Sequence, residues 1–595
     1  MTRERVDRLR GLMEKHGIDA YLIPSTDAHQ SEYVPDAWQR RPWISGFTGS
    51  AGDVIVARST AGLWTDSRYY LQAEKELAET GIKLFKKGLI DVPDMLVWVA
   101  DTLKPGQVFG ADPALVSYEM ANRINGTLAP RGIQILWLES NLIDALWEKR
   151  PGLPFRPISV QRLEYAGESA EEKLGRLRER MKTEGAGIHI LTTLDAIAWL
   201  FNIRGGDVAY NPVAVAFAVV TDRDAHLFIG QGEGDESLSR HLEGIAEIHP
   251  YENCKGMISA CARTGEKIWL DPLTASQWIV DVIGDTGQIT FKESPVTLFK
   301  AVKNQVEIEG FIRAHRRDGL AMVRFLNWLA QSVPAGGVTE ISASKKLASL
   351  RAELPLYQGP SFRTISAYGD HGAIVHYSST PATDCELKPE GLYLVDSGAH
   401  YLDGTTDITR TIALGPPTEE QRDRFTRVLK GHIILARTCF PRGTRGIQLD
   451  TLARKPQWDI GLNYGHGTGH GIGSYLNVHE GPQSISISSG TEAPLEKGMC
   501  VSIEPGYYKE GEYGIRIENL AFIKPDEARS RPSGEFLCFE CVTLCPIDLN
   551  CMEIGLLSRD EIDYLNAYHG MVWSVLSPSL DGTDVDFLKD ATRPV

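Results

Sequence analysis

One pattern occurs twice in the first half of the chain and limits what this half can fold into. An amphipathic helix ends at a glycine, Gly17 in the first copy and Gly185 in the second, and a short apolar strand follows. Each copy continues through a glycine-bearing turn into paired strands, around "DVIVA" in one and "AVAFAVV" in the other. The spacing between the copies is too long for a solenoid repeat. The pattern therefore predicts two related α/β domains that arose by internal duplication.

The remaining sequence divides into two further parts. A chain of 595 residues is too long for a single hydrophobic core. The proline-rich stretch "RPGLPFRPISV" predicts a boundary between a first domain, residues 1–155, and a second, residues 156–295. A long amphipathic helix then opens a run of helices and strands, predicted as a third domain over residues 296–530. The polar stretch "KPDEARSRPSG" precedes a C-terminal extension, residues 531–595, whose amphipathic helix is expected to pack on the third domain.

Composition excludes several classes of protein. The chain has a formal net charge of −16, which argues against nucleic acid or an anionic membrane as its main partner. It has no apolar run of the length that a membrane span requires. The N-terminal helix lacks the uninterrupted apolar segment of a secretory signal, so a cytoplasmic location is expected.

Nine cysteines in such a chain predict free thiols rather than a disulfide framework. Cys538, Cys541, Cys545 and Cys551 form a cluster, and the first two have the spacing of a zinc knuckle. A knuckle needs a tight turn between its cysteines, whereas "FLCFECVTLCPI" is a continuous β-type run. We therefore predict strand cysteines here.

Four acidic residues lie at the ends or in the interiors of predicted strands. "GLYLVDSGAHYLDGTTDITRTIAL" predicts a hairpin in which Asp396 closes the first strand and Asp407 lies in the second, so the two carboxylates can meet. Glu504 ends the strand "GMCVSIE", and Glu518 is at the centre of the strand "YGIRIENLAFI". Each acid taken alone could be a turn residue or a solvent-facing side chain. Burial of an unpaired carboxylate is costly, so an acid placed as Asp396 is indicates a bound cation or a strong hydrogen-bond cluster.

The glycine-rich stretch "GHGTGHGIG", Gly465 to Gly473, could be a phosphate loop or a strand that presents histidines to a metal. A phosphate loop requires a Lys or Ser/Thr after the glycines, or a strand-to-helix turn, and neither is in place. Two aspartates, two glutamates and one imidazole supply oxygen-rich ligation that suits two divalent ions. We therefore predict a metal-binding strand that carries His470.

These residues resemble the pita-bread metallopeptidases, the group of methionine aminopeptidase, prolidase and aminopeptidase P. The five ligand positions of that group are matched, in order, by Asp396, Asp407, His470, Glu504 and Glu518. Over its whole length the chain is similar to the three-domain, cytosolic type of Xaa-Pro aminopeptidase. The fold class that the resemblance implies is α/β (α+β), with two creatinase-like N-terminal α/β domains, a pita-bread catalytic domain and a short C-terminal extension.

The resemblance also implies a role for each ligand. Asp396 would hold one metal ion, Asp407 and Glu518 would bridge two ions, and His470 and Glu504 would complete the second. A water between the ions would be the nucleophile, with Glu504 as its proton acceptor. The ligand set fits Mn²⁺, Co²⁺ or Zn²⁺, and the resemblance points to Mn²⁺.

Four more residues match positions that contact substrate or ligands in that group. His376 and His479 would hydrogen-bond the substrate or the tetrahedral intermediate and help to move a proton. His466 would line the pocket for the proline ring, and Arg516 would pair with the ligand carboxylates. Each histidine taken alone ranks first as a structural side chain, and Arg516 alone could face solvent. In company with the five ligands, a functional role is favoured for His376, His479 and Arg516.

The implied activity is release of the first residue from peptides whose second residue is proline. A prolidase, which accepts only dipeptides, uses the same site and is the nearest alternative. Methionine aminopeptidases lack the paired N-terminal domains. A non-catalytic metal-binding scaffold is the alternative from a different class. The resemblance further implies a homodimer, with the C-terminal extension as part of its contact.

Overall fold

The computed structural model describes residues 2–230, 236–487, 493–532 and 534–595. The chain divides into two compact units. The first unit comprises Met1–Gln161 and Glu168–Val296, and the second comprises Arg162–Gly167 and Thr297–Val595. The four domain ranges expected from the sequence stay predictions.

The first unit contains two six-stranded sheets with the same topology. In each sheet the strand after the opening helix is central, antiparallel to one neighbour and parallel to the other. From edge to edge, one sheet consists of Lys83–Lys86, Ala61–Thr65, Asp53–Ala57, Ala20–Ile23, Val108–Ala111 and Gln134–Trp137. The other consists of Glu247–Pro250, Ala225–Ile229, Ala216–Thr221, Ile188–Leu191, Lys267–Leu270 and Gln288–Phe291. The shared topology agrees with the predicted pair of related α/β domains.

The helix that opens each copy ends at the predicted glycine. Helix Thr2–Lys15 precedes Gly17, with φ of 69°, and helix Ala170–Glu184 precedes Gly185, with φ of 65°. Glycine adopts this left-handed conformation without steric cost, so it ends the helix and directs the chain into the central strand. The other α-helices of the unit are Arg40–Ser45, Tyr70–Leu77, Met95–Thr102, Tyr118–Leu128, Leu142–Leu146, Leu194–Leu200, Glu236–Leu242, Cys254–Ala262 and Gln277–Ile283.

The second unit is built on antiparallel sheets. Its six-stranded sheet runs Cys439–Pro441, Phe536–Cys541, Asn519–Pro525, Cys500–Ile503, Gly469–Gly471 and Glu480–Ile485. One three-stranded sheet consists of Ile365–Tyr368, Leu392–Ser397 and Ile408–Ala413, another of Tyr357–Pro360, Ala399–Tyr401 and Gly404–Thr405, and a hairpin of Gly506–Lys509 and Tyr513–Arg516. The longer helices are Gln305–Ser332, Glu340–Ala352, Glu419–Ala436, Gly446–Trp458, Arg559–Leu576 and Gly582–Ala591. Among the described residues, no helix combines the length and hydropathy that crossing a membrane requires.

The long helix predicted at the start of the third domain is Gln305–Ser332. A capping box starts it, because the Asn304 side chain accepts from the Glu307 backbone and the Glu307 side chain accepts from the Asn304 backbone. A Cβ at Gly310 would lie 2.1 Å from the Asp403 carbonyl oxygen. Glycine at this position lets the helix lie directly on the turn of the hairpin that carries Asp396 and Asp407.

The C-terminal extension is part of the second unit's own core. Strand Phe536–Cys541 belongs to the six-stranded sheet, and helix Arg559–Leu576 buries Leu565 and Tyr568 in one cluster with Phe425. This agrees with the expected packing of the extension on its own chain.

All nine cysteines are free. Cys538 and Cys541 lie in strand Phe536–Cys541, as predicted, whereas Cys545 and Cys551 follow it outside any strand. Residues three apart on a strand point to opposite faces, so Cys538 and Cys541 do not form a zinc knuckle.

The close contact between helices Glu419–Ala436 and Gly446–Trp458 allows the packing of the second unit to be tested. We expect Gly431→Ala to lower the free energy of unfolding of the second unit by about 1–3 kcal/mol, because the added Cβ would lie 2.2 Å from the Ala453 carbonyl oxygen. Gly570 is exposed in helix Arg559–Leu576, and a Cβ there would meet no atom within 4 Å, so Gly570→Ala is the matched control. It should raise stability by about 0.5–1 kcal/mol. Equilibrium urea unfolding measures both, and equal destabilisation would contradict the packing.

Candidate metal centre

The two candidate aspartates lie on one hairpin. Asp396 is in strand Leu392–Ser397, opposite Thr409 of strand Ile408–Ala413. Asp407 lies one residue before the second strand, so its predicted position within that strand was wrong. Both side chains are buried, and Oδ1 of each accepts no hydrogen bond from the described residues. Two adjacent buried carboxylates with unsatisfied oxygens are a donor set for a cation.

Asp407 lies outside the second strand because the hairpin passes there from one three-stranded sheet, with Gly404–Thr405, to the other, with Ile408–Ala413. A Cβ at Gly398 would lie 2.0 Å from the Thr406 carbonyl oxygen and 2.1 Å from Ser361 Oγ. Thr406 still pairs with Ala399, through its backbone N–H and its Oγ1. Glycine at position 398 therefore permits the close approach of these two segments just before Asp407.

His470 approaches the acids from the six-stranded sheet. Of the predicted metal-binding strand, only Gly469–Gly471 forms a strand. A Cβ at Gly469 would lie 2.0 Å from the Ser502 carbonyl oxygen, so glycine allows this strand to lie close to its neighbour. His470 Nε2 lies 3.5 Å from Asp407 Oδ2 and 3.3 Å from Glu504 Oε1. The ring's Nδ1 donates to the Gly471 carbonyl at 3.0 Å, which directs Nε2 toward the acids.

The two glutamates come from strand junctions. Glu504 directly follows strand Cys500–Ile503, and its Oε1 accepts from Ser502 Oγ at 3.1 Å. Glu518 lies between strands Tyr513–Arg516 and Asn519–Pro525, so the single strand predicted around it was wrong. The chain turns from the hairpin into the six-stranded sheet at this point. Thr409 holds Glu518 twice, since its Oγ1 donates to Oε2 at 2.7 Å and its carbonyl accepts from the Glu518 N–H at 3.1 Å.

The electrostatics of this group favour a bound cation. Burial and the neighbouring charge of Asp407 together raise the pKa of Asp396 to about 7, although Arg516 opposes the rise. Burial and the neighbouring acids also raise the pKa of Glu504 and Glu518. Burial alone would lower the pKa of His470, but the hydrogen bond to Asp407 and the charge of Glu504 raise it to about 9.

The donor set fits a metal ion chemically. One ligand atom each from Asp407, His470 and Glu518 lies within 4.8 Å of the others. Carboxylate oxygens with one imidazole nitrogen suit divalent ions such as Mn²⁺, Co²⁺ or Zn²⁺. The unsatisfied oxygens of Asp396 and Asp407 and the crowding of the acids both agree with such a group.

Arg516 lies against the acids, at the end of strand Tyr513–Arg516. Its Nη2 donates to Asp396 Oδ2 at 2.6 Å and its Nε donates to Thr409 Oγ1 at 3.2 Å. Its side chain is only 2% exposed, which excludes a solvent-facing role. The guanidinium thus holds one oxygen of Asp396 and leaves the other for a cation.

Tyr508 connects Arg516 to His466, and the sequence interpretation missed it. Arg516 Nη1 donates to the Tyr508 hydroxyl at 2.6 Å. His466 Nδ1 donates to the Gly467 carbonyl at 2.7 Å, so the Tyr508 hydroxyl donates to His466 Nε2, also at 2.7 Å. Burial raises the pKa of Tyr508 to about 12 although Arg516 lowers it, and the hydroxyl keeps its proton. In the hairpin, Gly506 pairs with Arg516, and Tyr508, two residues further on, faces the same side.

The other two candidate histidines lie on loops. The His479 ring packs edge-to-face against His470, with centroids 4.4 Å apart. His376 lies between two anchored residues: the Val375 carbonyl accepts from Arg516 Nη2 at 3.3 Å, and the Tyr377 hydroxyl donates to Glu340 at 2.9 Å. The structure therefore places His479 against one candidate ligand and the His376 backbone beside Arg516.

Comparisons with known proteins match most of the chain. Residues 309–525 match metallopeptidase family M24, and residues 535–595 match the C-terminal region of peptidase M24. Residues 5–136 and 149–307 each match a creatinase/prolidase N-terminal domain. These matches confirm the predicted fold class, with two creatinase-like domains before a pita-bread domain.

Relatives resemble the chain over its full length. Aminopeptidase P2 of Arabidopsis thaliana is 40% identical, over 100% of this chain and 88% of the relative. Xaa-Pro aminopeptidase ApepP of Drosophila melanogaster is 40% identical, over 100% of this chain and 99% of the relative. The crystal structure of X-prolyl aminopeptidase from Caenorhabditis elegans, described as a cytosolic enzyme with a di-nuclear active site, has a TM-score of 0.96. It is 37% identical and covers 100% of both chains.

Proposed function

The chain belongs to metallopeptidase family M24, and we propose that it is an Xaa-Pro aminopeptidase, which releases the first residue from peptides whose second residue is proline. One observation carries the proposal. Buried acids and His470 converge in a chain whose full-length relatives are named for this activity. The same relatives favour an aminopeptidase over a prolidase and over a non-catalytic scaffold.

The metal centre would hold two divalent cations, and we propose Mn²⁺. Asp396 would bind one cation, His470 and Glu504 the other, and Asp407 and Glu518 both. Bound there, the cations would lower the pKa of a water molecule and polarise the scissile carbonyl. The Caenorhabditis elegans protein, described as having a di-nuclear active site, supports the number. The oxygen-rich donor set with one imidazole supports Mn²⁺.

The protein's own groups would move the protons. The Glu504 carboxylate, whose Oε1 lies 3.3 Å from His470 Nε2 among the proposed ligands, would accept the proton of the attacking water. The proline nitrogen carries no hydrogen in the peptide, so it must receive a proton when the bond breaks. We assign this transfer to His376 and His479 and the binding of the proline ring to His466. Arg516 would orient Asp396 and, through Tyr508, His466.

Three wider assignments rest on the same basis. We propose residues 1–155, 156–295, 296–530 and 531–595 as the two N-terminal domains, the catalytic domain and the extension. Four successive family matches, at residues 5–136, 149–307, 309–525 and 535–595, support a division into four parts. We propose a cytoplasmic location, supported by the structural relative described as cytosolic. We also propose a homodimer, with the extension in its contact.

A cleavage comparison tests the function. The protein is stripped of metal, restored with Mn²⁺ and offered Arg-Pro-Pro, Arg-Pro and Met-Ala-Ser. We expect Mn²⁺-dependent release of arginine from the tripeptide and little from the dipeptide. Preference for Arg-Pro would make the protein a prolidase, and release of methionine would make it a methionine aminopeptidase. Failure to cleave any peptide with metal bound would favour a scaffold.

The role of Tyr508 can be tested separately. Tyr508→Phe removes the hydroxyl between Arg516 and His466, and we expect kcat for Arg-Pro-Pro to fall about tenfold, the value of one hydrogen bond to a charged group. Metal content should not change, because Tyr508 is not a proposed ligand. Tyr507→Phe is the control, since the Tyr507 hydroxyl bonds Arg424 instead. Unchanged kcat in Tyr508→Phe would contradict a role for this connection.

A further inference from the structure

A second cluster of metal-ligating side chains lies in the first unit, on the sheet of its second copy. His226 is in strand Ala225–Ile229, and Glu247 and His249 are in the parallel strand Glu247–Pro250 at the edge of that sheet. Glu247 is the register partner of His226. His249 lies two residues further along and therefore on the same face.

The three donor atoms lie close together. His226 Nδ1 is 3.1 Å from His249 Nε2, and Glu247 Oε2 is 3.5 Å from each of these nitrogens. In a tetrahedral zinc site, ligand bonds of roughly 2.0–2.2 Å place neighbouring donor atoms about 3.3–3.6 Å apart. The distances in the cluster are within a few tenths of an ångström of these values. In the second unit, His470 Nε2 lies at similar distances, 3.5 and 3.3 Å, from the oxygens of Asp407 and Glu504.

The surroundings suit a partly open site. The His249 ring stacks on Phe228, with centroids 5.1 Å apart and planes at 21°, which restricts its orientation. The side chains of His226 and His249 are 15% and 26% exposed, and that of Glu247 is 69% exposed. Two largely buried imidazoles and one accessible carboxylate leave room for a water molecule as the fourth ligand.

We propose that His226, Glu247 and His249 form a zinc-binding site, separate from the metal centre of the second unit. Two imidazoles with one carboxylate favour zinc over the hard cations Mg²⁺ and Ca²⁺, which prefer oxygen ligands. The bound ion would join the edge strand to its neighbour and would take no part in peptide cleavage.

Zinc binding to the full-length protein tests the proposal. The protein is kept in excess Mn²⁺, dialysed against micromolar Zn²⁺, and its zinc content is measured for wild type, His249→Gln and His16→Gln. His16 is an exposed histidine next to Gly17 and outside the cluster, so it is the matched control. We expect His249→Gln to bind one zinc ion fewer per chain than the other two. Equal zinc content in all three proteins would overturn the proposal.

Anomalous diffraction from zinc-soaked wild-type crystals provides a second measurement that does not depend on a variant. We expect a zinc peak between His226, Glu247 and His249. If zinc appears only at Asp407, His470 and the other acids of the second unit, the proposal is wrong, and the two histidines form only a hydrogen-bonded pair.

Discussion

Replacing Asp407 by asparagine is expected to lower kcat/KM for Arg-Pro-Pro by roughly 10³-fold or more and to remove bound metal. Asp407 is one of the two ligands proposed to be shared by both cations, and its Oδ2 lies 3.5 Å from His470 Nε2. The substitution removes a negative charge and places an amide, which includes a hydrogen-bond donor, among the acids. Metal ions supply several kcal/mol of transition-state stabilisation in such hydrolases, and each 1.36 kcal/mol corresponds to about tenfold in rate. Steady-state kinetics and metal analysis of the purified variant measure the two effects.

Asp403→Asn is the matched control for this experiment. Asp403 lies in the same hairpin and is also buried, but its carboxylate pairs with Arg317 and Arg313. Loss of a buried partner destabilises a protein by roughly 3–5 kcal/mol, so this variant should be less stable and yet retain its metal. If both variants lose metal, disruption of the hairpin is the cause. If Asp407→Asn keeps its metal and activity, the assignment of Asp407 is wrong.

The sequence predicted the features that depend on local pattern. The glycines that end the helices at Gly17 and Gly185 have a direct conformational reason, and the alternation of helices with strands follows from hydrophobic periodicity. The hairpin of Asp396 and Asp407 was predictable because two apolar runs flank a turn. The acids and His470 are far apart in the sequence. Their convergence could nevertheless be proposed, because a buried carboxylate requires a partner.

The features that were missed depend on contacts between distant segments. "YGIRIENLAFI" has the pattern of one strand, but Glu518 lies where the chain passes from the hairpin into the six-stranded sheet. The pattern cannot show this change, because the residues on both sides of Glu518 are buried and Ile515, Ile517 and Leu520 continue the apolar pattern across it. Likewise, Thr409 looks like an ordinary strand threonine until its contacts with Glu518 and Arg516 are known. The strand face on which a side chain lies can be inferred from the local sequence. The distant side chain that it contacts cannot.

Arg410→Met is expected to lower the free energy of unfolding of the second unit by about 3–5 kcal/mol. Arg410 is 2% exposed, and its guanidinium donates to oxygen atoms on its own strand and on three other segments. The acceptors are the carbonyls of Thr409, Glu518, Cys545 and Pro546, the side chain of Asn519 and the hydroxyl of Tyr568. Methionine fills similar space but donates nothing, so several buried acceptors would lose their partners at once.

The contacts of Arg410 explain why the extension matters to the metal centre. Nη1 holds the carbonyl of Glu518 at 2.7 Å, and Nη2 holds the carbonyl of Cys545 at 2.8 Å. One side chain therefore fixes a proposed metal ligand relative to the extension, and Arg410→Met should weaken metal binding as well as stability. Arg559→Met, on the exposed side of the extension helix, removes only a surface pair with Asp563 and should change neither property. Urea unfolding together with metal affinity distinguishes the outcomes: lower stability with unchanged metal affinity would mean that Glu518 keeps its position without Arg410.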